Sequence, residues 1–283
     1  MKRYKILAAA VIIPLFSFGQ ENAETPAPET KKIERAAFES TSLIESQTTV
    51  AHNKKTLEMV MNHRFGLVDA GPKSNDLIGI WGPANIRIAV SYAIHDRLTL
   101  GYGTTKDNRL QDFNWKATLL RQTKGKGMPI NVSYYGNFTN DARRKENFTH
   151  TEDRYSFFNQ LLISRRINRL ISLQVAPSVS HYNLVESHME NDVFALSAGG
   201  RVKVSPQASI LFEYTQMLHS YKHTSPKPGV SVGVEFATGS HSFQIFITNY
   251  KGIVAQKNIM YNQNDFFEAD FMIGFNIIRL WHL

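Results

Sequence analysis

The order of residues predicts an all-β protein, a transmembrane antiparallel up-and-down β-barrel of about 12 strands. Three observations carry that prediction. Apolar and polar residues alternate with a period of two through most of the chain after residue 55. The polar phase of the alternation is rich in Ala, Ser and Gly rather than Lys and Glu. Apart from a middling pair early in the chain, at 106–110 and 122–128, long and short connections alternate between the strands, which puts the long loops at one end of the sheet and the short turns at the other.

The elements follow in chain order. Lys2, Arg3 and Lys5 precede an apolar run from Ile6 to Phe18, with Ser17 and Gly19 at the −3 and −1 positions of a cleavage site. A basic start, a short apolar stretch and small residues at the cut describe a secretory signal peptide over residues 1–19. The run is shorter than the ~20 apolar residues of a membrane anchor and contains Pro14. Residues 20–54 are read as a periplasmic N-terminal tail, polar and proline-containing at its start. Within it, the Ser/Thr-rich stretch 38–50 has moderate strand propensity but no place in an even strand count. A thirteenth barrel strand would put the termini on opposite sides, so 38–50 is expected to fold into the periplasmic mouth or lumen as a partial plug.

The barrel is expected over residues 55–283, with strands at 55–66, 84–94, 98–105, 111–121, 129–138 and 154–165, then 170–184, 193–204, 208–216, 229–238, 241–250 and 268–279. The clearest are those in which alternation is strict. Ile86, Ile88, Val90, Tyr92 and Ile94 interleave with Asn85, Arg87, Ala89, Ser91 and Ala93. Val230, Val232, Val234 and Phe236 interleave with Ser231, Gly233, Glu235 and Ala237. A soluble barrel would turn its polar phase to water, where Lys, Glu and Thr are expected. Small polar residues suit a barrel interior, while Ile, Val and Phe suit lipid. Aromatic residues near strand ends, among them Tyr92, Tyr102, Tyr155 and Tyr214, fit interfacial girdles. Pro177 in mid-strand removes a ladder donor, and a bulge is expected there. No helical stripe is evident after the signal.

Composition excludes several classes of function. The chain has no cysteine, which removes disulfide scaffolds, thiol catalysis and Cys-ligated zinc. The formal net charge is +8 from 32 basic and 24 acidic residues, and loss of Lys2, Arg3 and Lys5 with the signal brings it near +5. The basic residues are scattered rather than striped, so nucleic acid is not an expected partner. Ser180–His181 and His241–Ser242 are the tempting catalytic pairs, but adjacent strand residues point to opposite faces. His219 and His223, four apart in a loop, make a weak metal pair. No catalytic residue, metal or cofactor is expected.

On this registration nine charged residues of the polar phase face the lumen: Glu58, Arg64, Arg87, Lys116, Arg201, Lys203, Glu213, Glu235 and Asp270. Isolated charges in a narrow lumen are costly, so a near-balanced set implies an ion-pair network. Its two readings are a charge-lined path for a small polar or anionic solute and a filled, structural lumen. The chain ends on an apolar phase, Phe271, Ile273, Phe275 and Ile277, followed by Trp281 and Leu283. This resembles the C-terminal strand signal read by the barrel-assembly machinery, except that Leu283 stands where an aromatic residue is commoner.

Two stretches carry a family resemblance: 62–66 (Asn-His-Arg-Phe-Gly), and 84–103 with its tight His95-Asp96-Arg97 turn. With Phe38-Glu39-Ser40-Thr41-Ser42-Leu43-Ile44 upstream, the chain resembles a Bacteroidota family of outer-membrane β-barrels of unknown function. The resemblance covers nearly all of the mature chain. It implies the fold and an outer-membrane location among Gram-negative lipids, and it supplies no functional residues. The expected role is a porin-like narrow channel or transporter for a small solute. The alternatives are a structural or loop-binding barrel with a filled lumen and, third, a membrane-embedded hydrolase.

Overall fold

The computed structural model describes residues 32–69, 76–125, 127–222 and 225–283. The expected signal peptide, residues 20–31 of the tail, and His223 lie outside them. The described residues form twelve strands, beginning with β1 (Thr56–Leu67), β2 (Asn85–His95), β3 (Leu98–Thr105), β4 (Leu110–Leu120), β5 (Asn131–Asp141) and β6 (Tyr155–Arg166). They continue as β7 (Ile171–Tyr182), β8 (Asp192–Lys203), β9 (Ala208–Met217), β10 (Gly229–Ala237), β11 (His241–Thr248) and β12 (Met272–His282). Each pairs antiparallel with its sequence neighbours, and β1 pairs with β12 through contacts such as Met61 with Ile277, so the barrel is closed. Closure leaves no sheet edge, which is what a sheet in lipid requires.

The wall is inside-out relative to a soluble protein. Ile88, Val90, Leu100, Phe194, Val232 and Ile245 are exposed on its outer face. The alternate residues, among them Ser133, Ser164, Ser172, Ser180, Ser209 and Asn276, are buried inside. Short turns such as 96–97, 204–207 and 238–240 lie at the end that holds both barrel termini, and most long connections lie at the other; the exceptions are 121–130 at the first end and the short 106–109 at the second.

Four expectations are corrected. Pro177 makes no bulge: the β6–β7 register runs unshifted from Gln160–Ser178 to Ile163–Val175, and only the ladder between these pairs is missing. The pyrrolidine removes the donor without adding a residue. β12 starts at Met272 because a 3-10 turn at Phe266–Glu268 and Ala269, in the left-handed region at φ 66°, occupy the stretch before it. Asp270 therefore sits at the long-loop end and accepts from the Asp265 N–H at 3.3 Å, outside the lumen. Finally, a short helix, α1 (Ala255–Tyr261), stands inside the connection between β11 and β12.

Candidate functional site, the lumen and its two inserts

The lumen is occupied from both ends. From the short-turn end, residues 32–54 enter, turn and return to β1. The chain is fixed at entry by the Glu34 N–H donating to Gln122 O at 2.8 Å and by a bridge between Ile33 and Thr123. It then forms a small hairpin, with Ser42 bridging Gln47 and the Thr48 N–H donating to Thr41 O at 2.7 Å. The sequence supports this: Phe38, Leu43 and Ile44 supply an apolar face, and Ser/Thr residues supply donors for a polar wall. Those three side chains and Ala37 pack on Leu211 of β9 and Phe246 of β11, an apolar cluster inside the lumen.

The tip of the hairpin is anchored on Glu213 of β9. Its carboxylate accepts the main-chain N–H groups of Ile44, Glu45 and Ser46 at 3.3, 3.0 and 2.9 Å, together with the Ser46 hydroxyl. A buried carboxylate is tolerated when several donors converge on it. The ascending limb is held by Ser40 Oγ donating to Glu235 Oε1 at 2.5 Å, with Ser242 Oγ 2.8 Å away. Gln244 and Asn276 donate to the carbonyls of Ser42 and Ile44 at 3.1 Å each. On the descending limb, Gln174 donates to Gln47 O at 2.7 Å, and the hydroxyls of Thr49 and Ser164 lie 2.5 Å apart.

Of the nine charges expected in the lumen, eight are there and all engage. Arg64 pairs with Glu45 at 3.1 Å and lies over the Phe246 ring at 4.4 Å. Arg87 pairs with Asp112 at 2.5 Å. Arg201 and Lys203 both reach Glu39, at 2.8 and 3.1 Å. Glu58 accepts from Thr41 at 2.7 Å and Ser91 at 3.0 Å, and lies 3.0 Å from His52 Nε2. Lys116 donates to Thr41 O, Gln47 Oε1 and Thr48 O, each at 3.3 Å. Glu213 and Glu235 hold the hairpin. Three acidic members escaped the sequence reading: Asp112, Glu39 and Glu45. Asp112 shares the strand phase of Lys116, which was the signal available for it. Nothing in the tail's pattern marked Glu39 and Glu45.

Burial pushes the Glu45 carboxyl up, and the like charge of Glu213 adds to this, while Arg64 offsets it only in part. Burial also pushes Glu39 up, but hydrogen bonds and charge from Lys203 and Arg201 outweigh it and hold the carboxyl below the ordinary value.

From the long-loop end, α1 drops into the barrel. Gln256, fully buried, donates to Asn137, Thr139 and Ser156 at 2.9, 3.0 and 3.2 Å. Ile259 and Met260 pack with Tyr135, Val193, Met217 and Tyr221. Between α1 and the hairpin a polar chamber of about 80 Å³ remains, lined by Arg64, Arg87, Lys116, Glu45, Glu58 and Asp112 among others. That is room for about three water molecules. Wider cavities of about 380 and 420 Å³ open at the long-loop and short-turn ends.

In neither tempting Ser–His pair does the histidine bond the serine beside it in the pair. His181 lies between Asp192 and Asn183, at 2.8 and 2.9 Å, and His241 meets Ser240 and the Arg279 guanidinium. Among the described residues no cluster of His, Cys, Asp and Glu fits a metal ion.

Solved structures share this architecture. An outer membrane channel from Pseudomonas putida F1 superposes with a TM-score of 0.50 at 11% identity, over 82% of this chain and 97% of that one. The NanC porin gives 0.49 at 6%, over 80% and 99%. Outer membrane phospholipase A from Escherichia coli gives 0.40 at 12%, over 84% and 96%. At 11% identity the likeness to the Pseudomonas putida structure shows the fold alone, a closed antiparallel barrel of the outer-membrane type. No curated protein matches the sequence. The sequence profile of one family matches residues 38–281, hairpin and barrel together, and the chain therefore belongs to the membrane bound beta barrel domain family DUF5777.

Proposed function

We propose that this protein is a narrow, passive channel of the outer membrane for a small polar solute, and not an enzyme. The observation that carries this is the charge-balanced chamber between the two inserts, with a wider cavity at each mouth. A wall built only for stability would gain by filling that space with apolar side chains, since buried ion pairs seldom outperform them. Three cationic and three anionic side chains instead keep it polar. The geometry at His181 and His241 supports a non-catalytic role. The resemblance of residues 62–66 and 84–103 supports a Bacteroidota, Gram-negative source, with residues 32–54 on the periplasmic side and a signal peptide ahead of them.

The outward residues Ile273, Phe275 and Ile277 with Trp281 and Leu283, and Phe271 just ahead of β12, are the features we assign to recognition by the barrel-assembly machinery. A second reading, a structural barrel, is favoured by the inserts themselves, because together they leave no wide path. Planar-bilayer recording separates the two: the channel reading expects discrete current steps from the full-length mature chain and larger ones after deletion of 38–50. A silent membrane in both cases supports the structural barrel.

A further inference from the structure

The hairpin is not centred in the lumen, and this bears on the path a solute would take. Its ascending limb and tip lie against β8 to β12, through Arg201, Glu213, Glu235, Gln244 and Asn276. The chamber lies on the opposite side, against β1 to β6. The long-loop cavity reaches the ends of β2, β3 and β4 at Asn85, Thr105 and Leu110, and shares Ile253 with the chamber. The short-turn cavity shares Glu58 with the chamber and is bounded there by His52. The chamber and the long-loop cavity thus share one sector and meet at Ile253, whereas the short-turn cavity, lined by Lys203, Gln207, Thr238, His241, Ser242 and Leu280, lies on the hairpin's own side and meets the chamber at Glu58.

We propose that solute passes beside the hairpin through these three cavities, crossing at Glu58 from the β8–β12 side to the β1–β6 side, while the hairpin stays docked, and that the chamber is its binding site. This rests on the channel reading above. The docking contacts argue for a fixed hairpin: a carboxylate capped by three amides, an apolar cluster and an Arg–Glu pair would all have to break to clear the lumen. The chamber also states its ligand class. Asp112 Oδ1 is buried there without a hydrogen-bond partner among the described residues, while Oδ2 takes Arg87. Arg64, Arg87 and Lys116 balance Glu45, Glu58 and Asp112, so the lining favours neither anions nor cations. A small zwitterion fits: its ammonium group meets Asp112 Oδ1, and its anionic end meets the Lys116 and Arg87 side.

The chain has no cysteine, so engineered thiols report cleanly. Ser40→Cys with Ser242→Cys ties the ascending limb to β11, and Thr49→Cys with Ser164→Cys ties the descending limb to β6. The hydroxyl pairs lie 2.8 and 2.5 Å apart, within reach of a disulfide. In planar bilayers with potassium chloride, each doubly substituted chain is expected to carry the same current oxidised and reduced. Asn114→Cys, whose side chain lines the chamber, is expected to lose most of its current on adding 2-aminoethyl methanethiosulfonate, to which the cysteine-free chain is insensitive. In vesicle-swelling assays glycine should enter several-fold faster than glycolate or ethanolamine.

Current that vanishes on oxidation and returns on reduction overturns the route and leaves the channel standing, as does a wild-type chain that conducts only after 38–50 is deleted. Current indifferent to label at position 114 also overturns the route. Glycolate entering as fast as glycine overturns the solute class. A chain that carries no current with or without 38–50 overturns the channel reading and the route with it.

Discussion

The carboxylate of Glu213, on β9, accepts both the main-chain N–H of Ser46 at 2.9 Å and the Ser46 hydroxyl. A residue of the barrel wall thereby specifies the conformation of a segment 167 positions earlier in the chain. The neighbouring amides of Ile44 and Glu45 converge on the same carboxylate. The hairpin is consequently docked by its tip, the part furthest from the point at which it enters.

Glu213→Gln removes the charge while keeping the shape. Hydrogen bonds to a charged acceptor contribute about 1.5–3 kcal/mol each, roughly twice the neutral case. The amides of residues 44–46 should exchange with deuterium at least about tenfold faster, the effect of ~1.4 kcal/mol, while the β5–β6 amides stay unchanged. Equal protection at 44–46 would show that Glu213 does not hold the tip.

Glu45 and Glu39 should respond to pH in opposite senses. The Glu45 carboxyl is raised in the folded state, so its favourable contribution is complete below its ordinary value and is lost as pH rises through the folded value. Glu45→Gln is therefore expected to increase protection of the hairpin at neutral pH, with the gain shrinking in acid. The Glu39 carboxyl is lowered, so its contribution is present above the ordinary value and is lost as pH falls through the folded one. Glu39→Gln should loosen the entry segment at neutral pH and leave it unchanged in strong acid. Exchange profiles of residues 34–50 at several pH values check both signs.

Ile245 is among the most exposed side chains of β11, at 55%, while its neighbour Gln244 is buried in the lumen. Ile245→Arg should cost about 2–4 kcal/mol if that face meets lipid at mid-depth. Unfolding by urea from lipid vesicles measures this. A change below ~0.5 kcal/mol, typical of a water-facing site, would mean that the outer face does not meet hydrocarbon.

Gln256→Ala leaves Asn137, Thr139 and Ser156 without their shared partner. An unsatisfied buried polar group costs about 1–3 kcal/mol. The connection from residue 249 to 271 should become more sensitive to protease, with the barrel fragment surviving. Unchanged cleavage would place the anchoring of α1 in its apolar contacts instead.

Strand phase was readable from residues alone because lipid and lumen impose opposite demands on alternate positions. Ile86 to Ile94 and Val230 to Phe236 therefore face outward as their alternation requires. Charge placement followed from phase for Arg64, Arg87, Lys116 and Glu213. It failed for Asp270, because phase has meaning only inside a strand and the turn at Phe266–Glu268 ends the alternation short of it. Asp112 was legible from Lys116, four residues on in the same strand, and was overlooked. Residues 255–261 carry no helical stripe, since α1 is polar on the side that meets Asn137 and Thr139 and apolar on the side that meets Tyr221. Only the cavity it enters defines those two faces. Glu39 and Glu45 find their cations across the barrel, a relationship that local pattern does not encode.

The central claim is a narrow conducting path in a lumen lined by the hairpin. Single-channel recording of the purified mature chain, beside the same chain lacking 38–50, tests it most directly. Small discrete steps from the full-length protein, rising several-fold in the deletion, are predicted, with a reversal potential in a potassium chloride gradient near zero for a charge-balanced lining. A membrane that stays silent with both proteins, each shown by heat-modifiable gel migration to be a folded barrel, would contradict it.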